Sequence, residues 1–192
     1  MKNDWNGDSF DLVKRFWQQI LLPIAKLYAH PRFFRRAYLE GDDRQKYESL
    51  TKITIEGSPS QPFAWLLDPD TGICDIGTPV NNKVSNTKTK ANAEYTTLAF
   101  VADLFQQGQE KPQFVTVFDQ SMPRVTGYTP LDYRIKKMAA FKKSEIGSHL
   151  FYFYYISHAP FLFCSDNDKT LKVVKKTILD SGIPTFRVTE IV

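Results

Sequence analysis

The chain has 192 residues and a net charge of +4, with 42% apolar and 24% charged residues. These values are typical of a globular protein and exclude a disordered chain or a dedicated DNA-packaging protein. The two cysteines are far apart, no apolar leader opens the chain, and no apolar stretch approaches about 20 residues. We therefore expect a soluble, cytoplasmic protein without a disulfide framework or a membrane span.

The first part of the chain has the spacing of helices. Ser9 is a suitable N-cap, and apolar residues recur at helical spacing from Val13 to Leu27. Pro23 lies inside this run and should kink or break it, because proline lacks the backbone donor that a helix needs. Shorter helices follow, so the sequence predicts a helical N-terminal segment over residues 1–50.

The hydrophobic period changes to two after this segment, which indicates strands. Residues 52–56 alternate, and residues 63–67 and 73–76 form two further apolar runs. Residues 68–72 between these two runs contain Pro and Gly at positions that suit a tight turn. The pattern predicts an antiparallel hairpin, followed by a long polar loop over residues 77–92.

Helical and strand patterns alternate through the rest of the chain. The predicted elements are a helix over 93–107, a strand over 114–118, a helix from 129, a strand over 150–156, a helix after 168 and a last strand over 185–192. We expect one α+β domain over residues 1–192, with a sheet-containing core over residues 51–192. Its mixed sheet should have about five to six strands with helices packed on it.

No motif in the chain specifies a reaction. A glycine-rich phosphate loop, a nucleophile elbow and a zinc-binding His-Glu helix are all missing from the sequence. We therefore predict no catalytic residue, no metal ligand and no cofactor, and we favour a protein that is not an enzyme. One alternative is a small hydrolase or nuclease, built around Asp119 or around His149, His158 and Cys164, whose side chains would have to converge in a pocket.

Basic residues interleaved with aromatic residues suggest a different function. Residues 131–192 carry ten basic against six acidic groups, and cations with exposed rings are what nucleic-acid surfaces use to hold phosphates and stack bases. The candidate phosphate contacts are Arg35, Arg36, Arg134, Lys136, Lys137, Lys143, Lys172 and Lys176, and the candidate stacking residues are Phe33 and Tyr133. The leading hypothesis is a non-enzymatic binding module that holds nucleic acid, or works in a nucleic-acid-handling complex, through a basic helical face. The alternative is that these cations are ordinary solvated helix faces.

Aromatic residues in the N-terminal helices support a rival hypothesis. They are Trp5, Phe10, Phe16, Trp17 and Tyr28. If exposed, they would dock in the groove of a protein partner, as in an adaptor or inhibitor. They could equally dock on a second copy of this chain, which would give a homo-oligomer. The alternative is that these rings pack on the protein's own sheet.

Overall fold

A computed structural model describes residues 9–70, 72–74, 95–106, 110–120, 129–144 and 147–190. The helices are α1 (Ser9–Leu21), α2 (Arg36–Glu40), α3 (Asp42–Thr51), α4 (Leu98–Gln106), α5 (Pro130–Lys142) and α6 (Asp168–Asp180). The strands are β1 (Lys26–Ala29), β2 (Thr54–Ile55), β3 (Phe63–Leu67), β4 (Ile73–Cys74), β5 (Thr96–Thr97), β6 (Val115–Phe118), β7 (Phe151–Tyr155), β8 (Phe161–Ser165) and β9 (Val188–Glu190). None of the described helices has the length and apolar character needed to cross a membrane.

A mixed sheet of seven strands has the order β2-β1-β3-β6-β8-β7-β9. The first four strands in this order are parallel, whereas β8 is antiparallel to both β6 and β7, and β9 is antiparallel to β7. Strands β4 and β5 form a separate parallel pair. The prediction of an α+β fold is confirmed, although this sheet has seven strands where about five to six were expected.

The parallel strands at the middle of the sheet are buried on both faces. Every side chain of β3 and β6 is buried, as expected of parallel strands that are covered by helices and therefore read as continuous apolar runs. The register pairs Trp65 with Val115 on one face and Leu66 with Thr116 on the other. Side chains of successive residues thus supply the cores on the two sides of the sheet.

Helices cover both faces of this sheet. On one face, Trp17 of α1 is fully buried, and its ring centroid lies 5.9 Å from Phe161 and 5.5 Å from Phe163. On the other face, Phe141 of α5 packs against Tyr152 at 6.3 Å. The aromatic side of α1 is therefore used by the protein's own core.

The predicted hairpin over residues 63–76 is wrong. Strand β3 lies between β1 and β6 and is parallel to both, whereas Ile73 pairs with Thr96 of β5. Gly72 does have a positive φ of 96°, a conformation that glycine adopts readily. Turn residues do not determine which strand becomes the neighbour.

The helical N-terminal segment contains, besides its helices, a strand that the sequence does not predict. Helix α1 ends at Leu21, before Pro23, and Lys26–Ala29 forms strand β1 between β2 and β3. Residues that were assigned to a helical extension are therefore part of the sheet. The loop predicted over residues 77–92 and the side chain of Trp5 lie outside the described residues, and the single domain over residues 1–192 stays a prediction.

Candidate functional site

A buried group of ionisable side chains, the Lys14 cluster, joins α1 to the carboxyl end of β3. It consists of Asp11, Lys14, Tyr47 and Asp68, none of which is more than 4% exposed. The Lys14 ammonium donates to Asp68 Oδ2 at 2.7 Å and to Asp11 Oδ1 at 3.1 Å. The Tyr47 hydroxyl makes no hydrogen bond of normal geometry, and Lys14 Nζ lies 5.6 Å from the centroid of its ring.

Burial and charge act against each other in the Lys14 cluster. Burial lowers the pKa of Lys14, but Asp68 and Asp11 together outweigh this and keep the pKa above its usual value. Burial raises the pKa of Asp68, Lys14 offsets part of this rise, and the negative charge of Asp11 adds to it. Burial, reinforced by the two carboxylates, also raises the pKa of Tyr47. One cation shared by two carboxylates therefore retains its proton.

A second buried group, the Asp119 cluster, lies at the carboxyl end of β6. Asp119 Oδ1 accepts a hydrogen bond from the Ile73 amide at 3.0 Å, and Oδ2 accepts one from the Tyr154 hydroxyl at 2.8 Å. Lys137 Nζ lies 3.5 Å from Oδ2, and Arg134 Nη2 donates to the Asp119 carbonyl at 2.9 Å. These contacts join β4, α5 and β7 to the end of β6.

The two clusters lie at one edge of the sheet but on opposite faces. Leu67 pairs with Val117, so Asp68 is level with Phe118 and Asp119 points to the other face. Acids at the carboxyl ends of parallel strands often line ligand sites. Here each acid is buried and bonded to a buried lysine, Asp68 to Lys14 and Asp119 to Lys137, so both clusters hold helices against the sheet.

An open groove, the lysine groove, lies at the other end of the sheet's strands, remote from Asp68 and Asp119. It has a volume of about 300 Å³ and is formed where the end of α5 meets the start of β7 and helix α6. Its floor includes Leu150, Phe151, Phe153 and Leu171, and its rim includes Lys142, Lys172, Lys175, Asp168 and Glu190. Strand β7 runs parallel to β6, so its first residue lies at the end of the sheet remote from Asp119.

The three lysines of the groove differ in their partners. Lys172 is 2.6 Å from Asp168 and Lys175 is 2.5 Å from Glu190; the hydrogen bond to Asp168 raises the pKa of Lys172. Within the described residues Lys142 makes no ion pair. Among the described residues of the rim, three cations face two carboxylates, so this set has a positive excess, and Lys142 is the cation without an ion pair that an incoming anion could meet directly.

Three of the predicted nucleic-acid contacts are buried. Phe33 is 0% exposed, Arg134 4% and Lys137 5%. Phe33 packs beside His30 and Phe100, while Arg134 and Lys137 are bonded within the Asp119 cluster. These side chains are not on the surface that a nucleic acid could reach, so their assignment to the interface is corrected. Tyr133 is half-buried, with Lys137 Nζ 4.9 Å from its ring centroid.

The other predicted cations are exposed but do not share one surface. Lys172 lies on the groove, and Lys143 and Lys176 are the chain neighbours of its residues Lys142 and Lys175. Arg35, Arg36 and Lys136 are exposed but do not line the groove, and α2, which carries Arg36, packs on α3 beside the edge strand β2. Lys142 and Lys175 are not among the predicted contacts, although each directly precedes a predicted lysine.

The histidine and cysteine side chains do not converge. His149 precedes β7 and His158 follows it, so they lie at opposite ends of that strand. Cys164 is buried inside β8 opposite Tyr152, and burial raises the pKa of its thiol, which opposes formation of a nucleophilic thiolate. Among the residues that the structure describes, no group of three or more His, Cys, Asp or Glu could hold a metal ion.

The remaining source of functional information is similarity to known proteins. No family model, no curated protein and no solved structure matches this chain.

Proposed function

We propose that this protein is a non-enzymatic module of the cytoplasm that binds nucleic acid through the lysine groove. The observation that carries the proposal is that Lys142, Lys172 and Lys175, from two different helices, surround one groove whose floor holds the exposed ring of Phe151. Phosphates are held by lysines and bases are held by rings. The groove offers both kinds of contact within a volume of about 300 Å³.

Charge around the groove favours the same function. Lys143, the residue after α5, is an exposed cation next in the chain to Lys142 of the rim, whereas Lys176 is neutralised by Asp180. The two carboxylates of the rim are bonded to Lys172 and Lys175 at the surface, where water and salt compete with ion pairs. A phosphate can therefore exchange with Asp168 or Glu190 at little cost, which is not true of the buried clusters.

The test is the binding of labelled oligonucleotides of DNA and RNA at low and at physiological salt. If three lysines contact phosphates, the logarithm of the affinity should fall with the logarithm of the salt concentration with a slope of about 2 for single strands. The double variant Lys142→Glu/Lys175→Glu should lose most of this binding and most of this slope. No binding at low salt would refute the proposal.

A matched control separates the groove from the overall charge. The double variant Arg36→Glu/Lys46→Glu changes the net charge equally, at two exposed cations on α2 and α3. It should bind like the unmodified protein. An equal loss in both double variants would mean that binding follows net charge and that the groove is not the site.

A protein partner is the second candidate, favoured by two exposed leucines, Leu12 on α1 and Leu22 directly after it. Leu12 is 62% and Leu22 is 53% exposed, although Trp17 between them is fully buried. Deletion of α1 is not a suitable test, because Lys14 and Trp17 are buried in the core and we expect the protein to unfold without them. The suitable test is the variant Leu12→Glu/Leu22→Glu, which should abolish a homodimer or a stable complex in size-exclusion chromatography if this face is an interface.

A further inference from the structure

The floor of the lysine groove carries an aromatic ring that the core does not bury. Phe151, the first residue of β7, is 44% exposed, whereas Phe153 on the same face of the strand is 1% exposed. Phe153 stacks on Phe163 with ring centroids 5.1 Å apart and an angle of 16° between the planes. Phe151 is thus the solvent-facing end of an aromatic row that continues into the core.

The backbone of Phe151 is held by β8, the neighbouring strand towards the middle of the sheet. Phe151 pairs with Ser165 of β8, and from Phe153 onwards β7 pairs with both β8 and β9. The Ser165 hydroxyl in turn donates to the Gln113 carbonyl at 2.7 Å. A ring on a paired strand loses little freedom when a ligand stacks on it, so the geometry suits a stacking platform.

The size of the groove limits what can stack there. A volume of about 300 Å³ is at the lower end of the range for small-molecule sites, about 300–1,000 Å³. This is room for a base with its sugar and phosphate, while the bases of a duplex stay stacked on one another and present only their edges. The first amides of α6 are no alternative anion site, because the Asn167 side chain accepts from Lys169 N and Thr170 N.

We infer that the lysine groove binds one unpaired nucleotide of a single-stranded nucleic acid, with its base on Phe151 and its phosphate on Lys142. This inference rests on the proposed function and specifies its ligand. Lys142 has no carboxylate partner among the described residues, and it faces the groove together with Phe151. The neighbouring phosphates of the strand replace Asp168 on Lys172 and Glu190 on Lys175, and this exchange makes the site dependent on salt.

The experiment compares a single strand, its duplex and heparin, which carries charge without bases. The unmodified protein should bind single-stranded DNA or RNA at least about tenfold tighter than the duplex. Phe151→Ala should weaken single-strand binding by about tenfold and leave heparin binding unchanged. The matched control is Phe186→Ala, because Phe186 is also exposed, at 73%, but lies outside the groove.

A second variant reports stacking directly. Phe151→Trp keeps an aromatic platform and should retain the affinity, and its added fluorescence should be quenched by a single strand but not by a duplex. Circular dichroism establishes that each variant is folded before binding is measured. Equal affinity of Phe151→Ala and the unmodified protein, or equal quenching by both ligands, would overturn the inference.

The two proposals fail in different ways. If Lys142→Glu/Lys175→Glu weakens binding but Phe151→Ala does not, the groove is a site for phosphate alone, so the proposed function stands and the inference falls. If none of these variants changes the binding of a single strand, both are wrong. DNA and RNA strands of one sequence, measured side by side, distinguish the two sources of the nucleotide.

Discussion

Lys137 and Lys142 lie on the same helix, α5, but belong to two different regions of the molecule. Lys137 is buried beside Asp119 and donates to the Ile73 carbonyl at 2.9 Å, whereas Lys142 is exposed at the rim of the lysine groove. The first cation is held by groups of the protein itself, and the second faces solvent. Exposure and partners, rather than residue type, therefore decide which lysine is available to a ligand.

The same contrast separates the ion pairs of the two regions. Lys14 and Asp68 are 2.7 Å apart with side chains 2% and 3% exposed, while Lys176 and Asp180 are 2.5 Å apart with side chains 75% and 61% exposed. The distances are similar, but only the first pair is shielded from water. Removing one partner of a buried pair leaves a charge without solvent, whereas an exposed partner is simply hydrated.

The largest effect is expected at Lys14. Lys14→Met should lower the free energy of unfolding by about 3–5 kcal/mol, because Asp11 and Asp68 would remain buried without their cation. Urea unfolding followed by circular dichroism measures this change. A loss below about 1 kcal/mol would mean that the buried Lys14 pairs contribute no more to stability than exposed pairs do. The contrast between the two regions would then be wrong.

The next largest effect is expected at His30, in acid. His30 Nδ1 accepts from the Arg32 amide at 3.2 Å, and its ring contacts Trp65 and Phe100. Burial, with a smaller contribution from Arg32, lowers the pKa of His30 to about 4. Relative to the usual value of about 6.5, this corresponds to up to about 3 kcal/mol of stability.

The direction of the pH dependence at His30 follows from its neutral state in the fold. Below about pH 6.5 the unfolded chain binds a proton that the folded protein excludes, so stability is present above this pH and is lost as the pH falls towards 4. His30→Asn keeps a side-chain acceptor that does not titrate. In this variant the free energy of unfolding should change less with pH over this range. Identical pH dependence in both proteins would show that His30 is hydrated in the fold.

A smaller effect is expected from one hydrogen bond of the Asp119 cluster. Tyr154→Phe removes the hydroxyl that donates to Asp119 Oδ2 at 2.8 Å, and the loss should be about 2 kcal/mol, because hydrogen bonds to charged groups are the strong ones. Tyr47→Phe is the matched control, since the Tyr47 hydroxyl has no bond of normal geometry. It should change the stability by less than about 1 kcal/mol. A loss as large at Tyr47 would mean that its hydroxyl is bonded to Asp68.

Local patterns in the sequence predicted most elements but not their neighbours. The strand over 114–118 and the helix from Pro130 are present, because apolar runs and a proline at the first helical position are local signals. Lys26–Ala29 was assigned to a helix, since Leu27 also fits the helical spacing of α1. Its place between β2 and β3 depends on distant residues, which no local pattern contains.

The sequence does not predict the Lys14 and Asp119 clusters, for the same reason. Asp11 and Lys14 lie on the helix face that continues through Trp17 and Leu21, so two charges on an apolar stripe were a signal that their partners lie in the core. Nothing local identifies Asp68 as that partner. Arg134 and Lys137 likewise read as a solvated helix face until the fold places Asp119 beside them.

The smallest effect is expected at an exposed pair of α6. Lys176→Gln removes the ion pair with Asp180, at positions i and i+4 of the helix, and should lower the free energy of unfolding by about 0.3–0.5 kcal/mol at low salt. Added salt should abolish this difference, because it screens exposed charges, whereas the loss in Lys14→Met should persist at the same ionic strength. Urea unfolding of both variants in 0.05 M and 1 M NaCl measures the two responses. If the effect at Lys176 persisted in high salt, the pair with Asp180 would not behave as a solvated surface pair, and the contrast with Lys14 would fail.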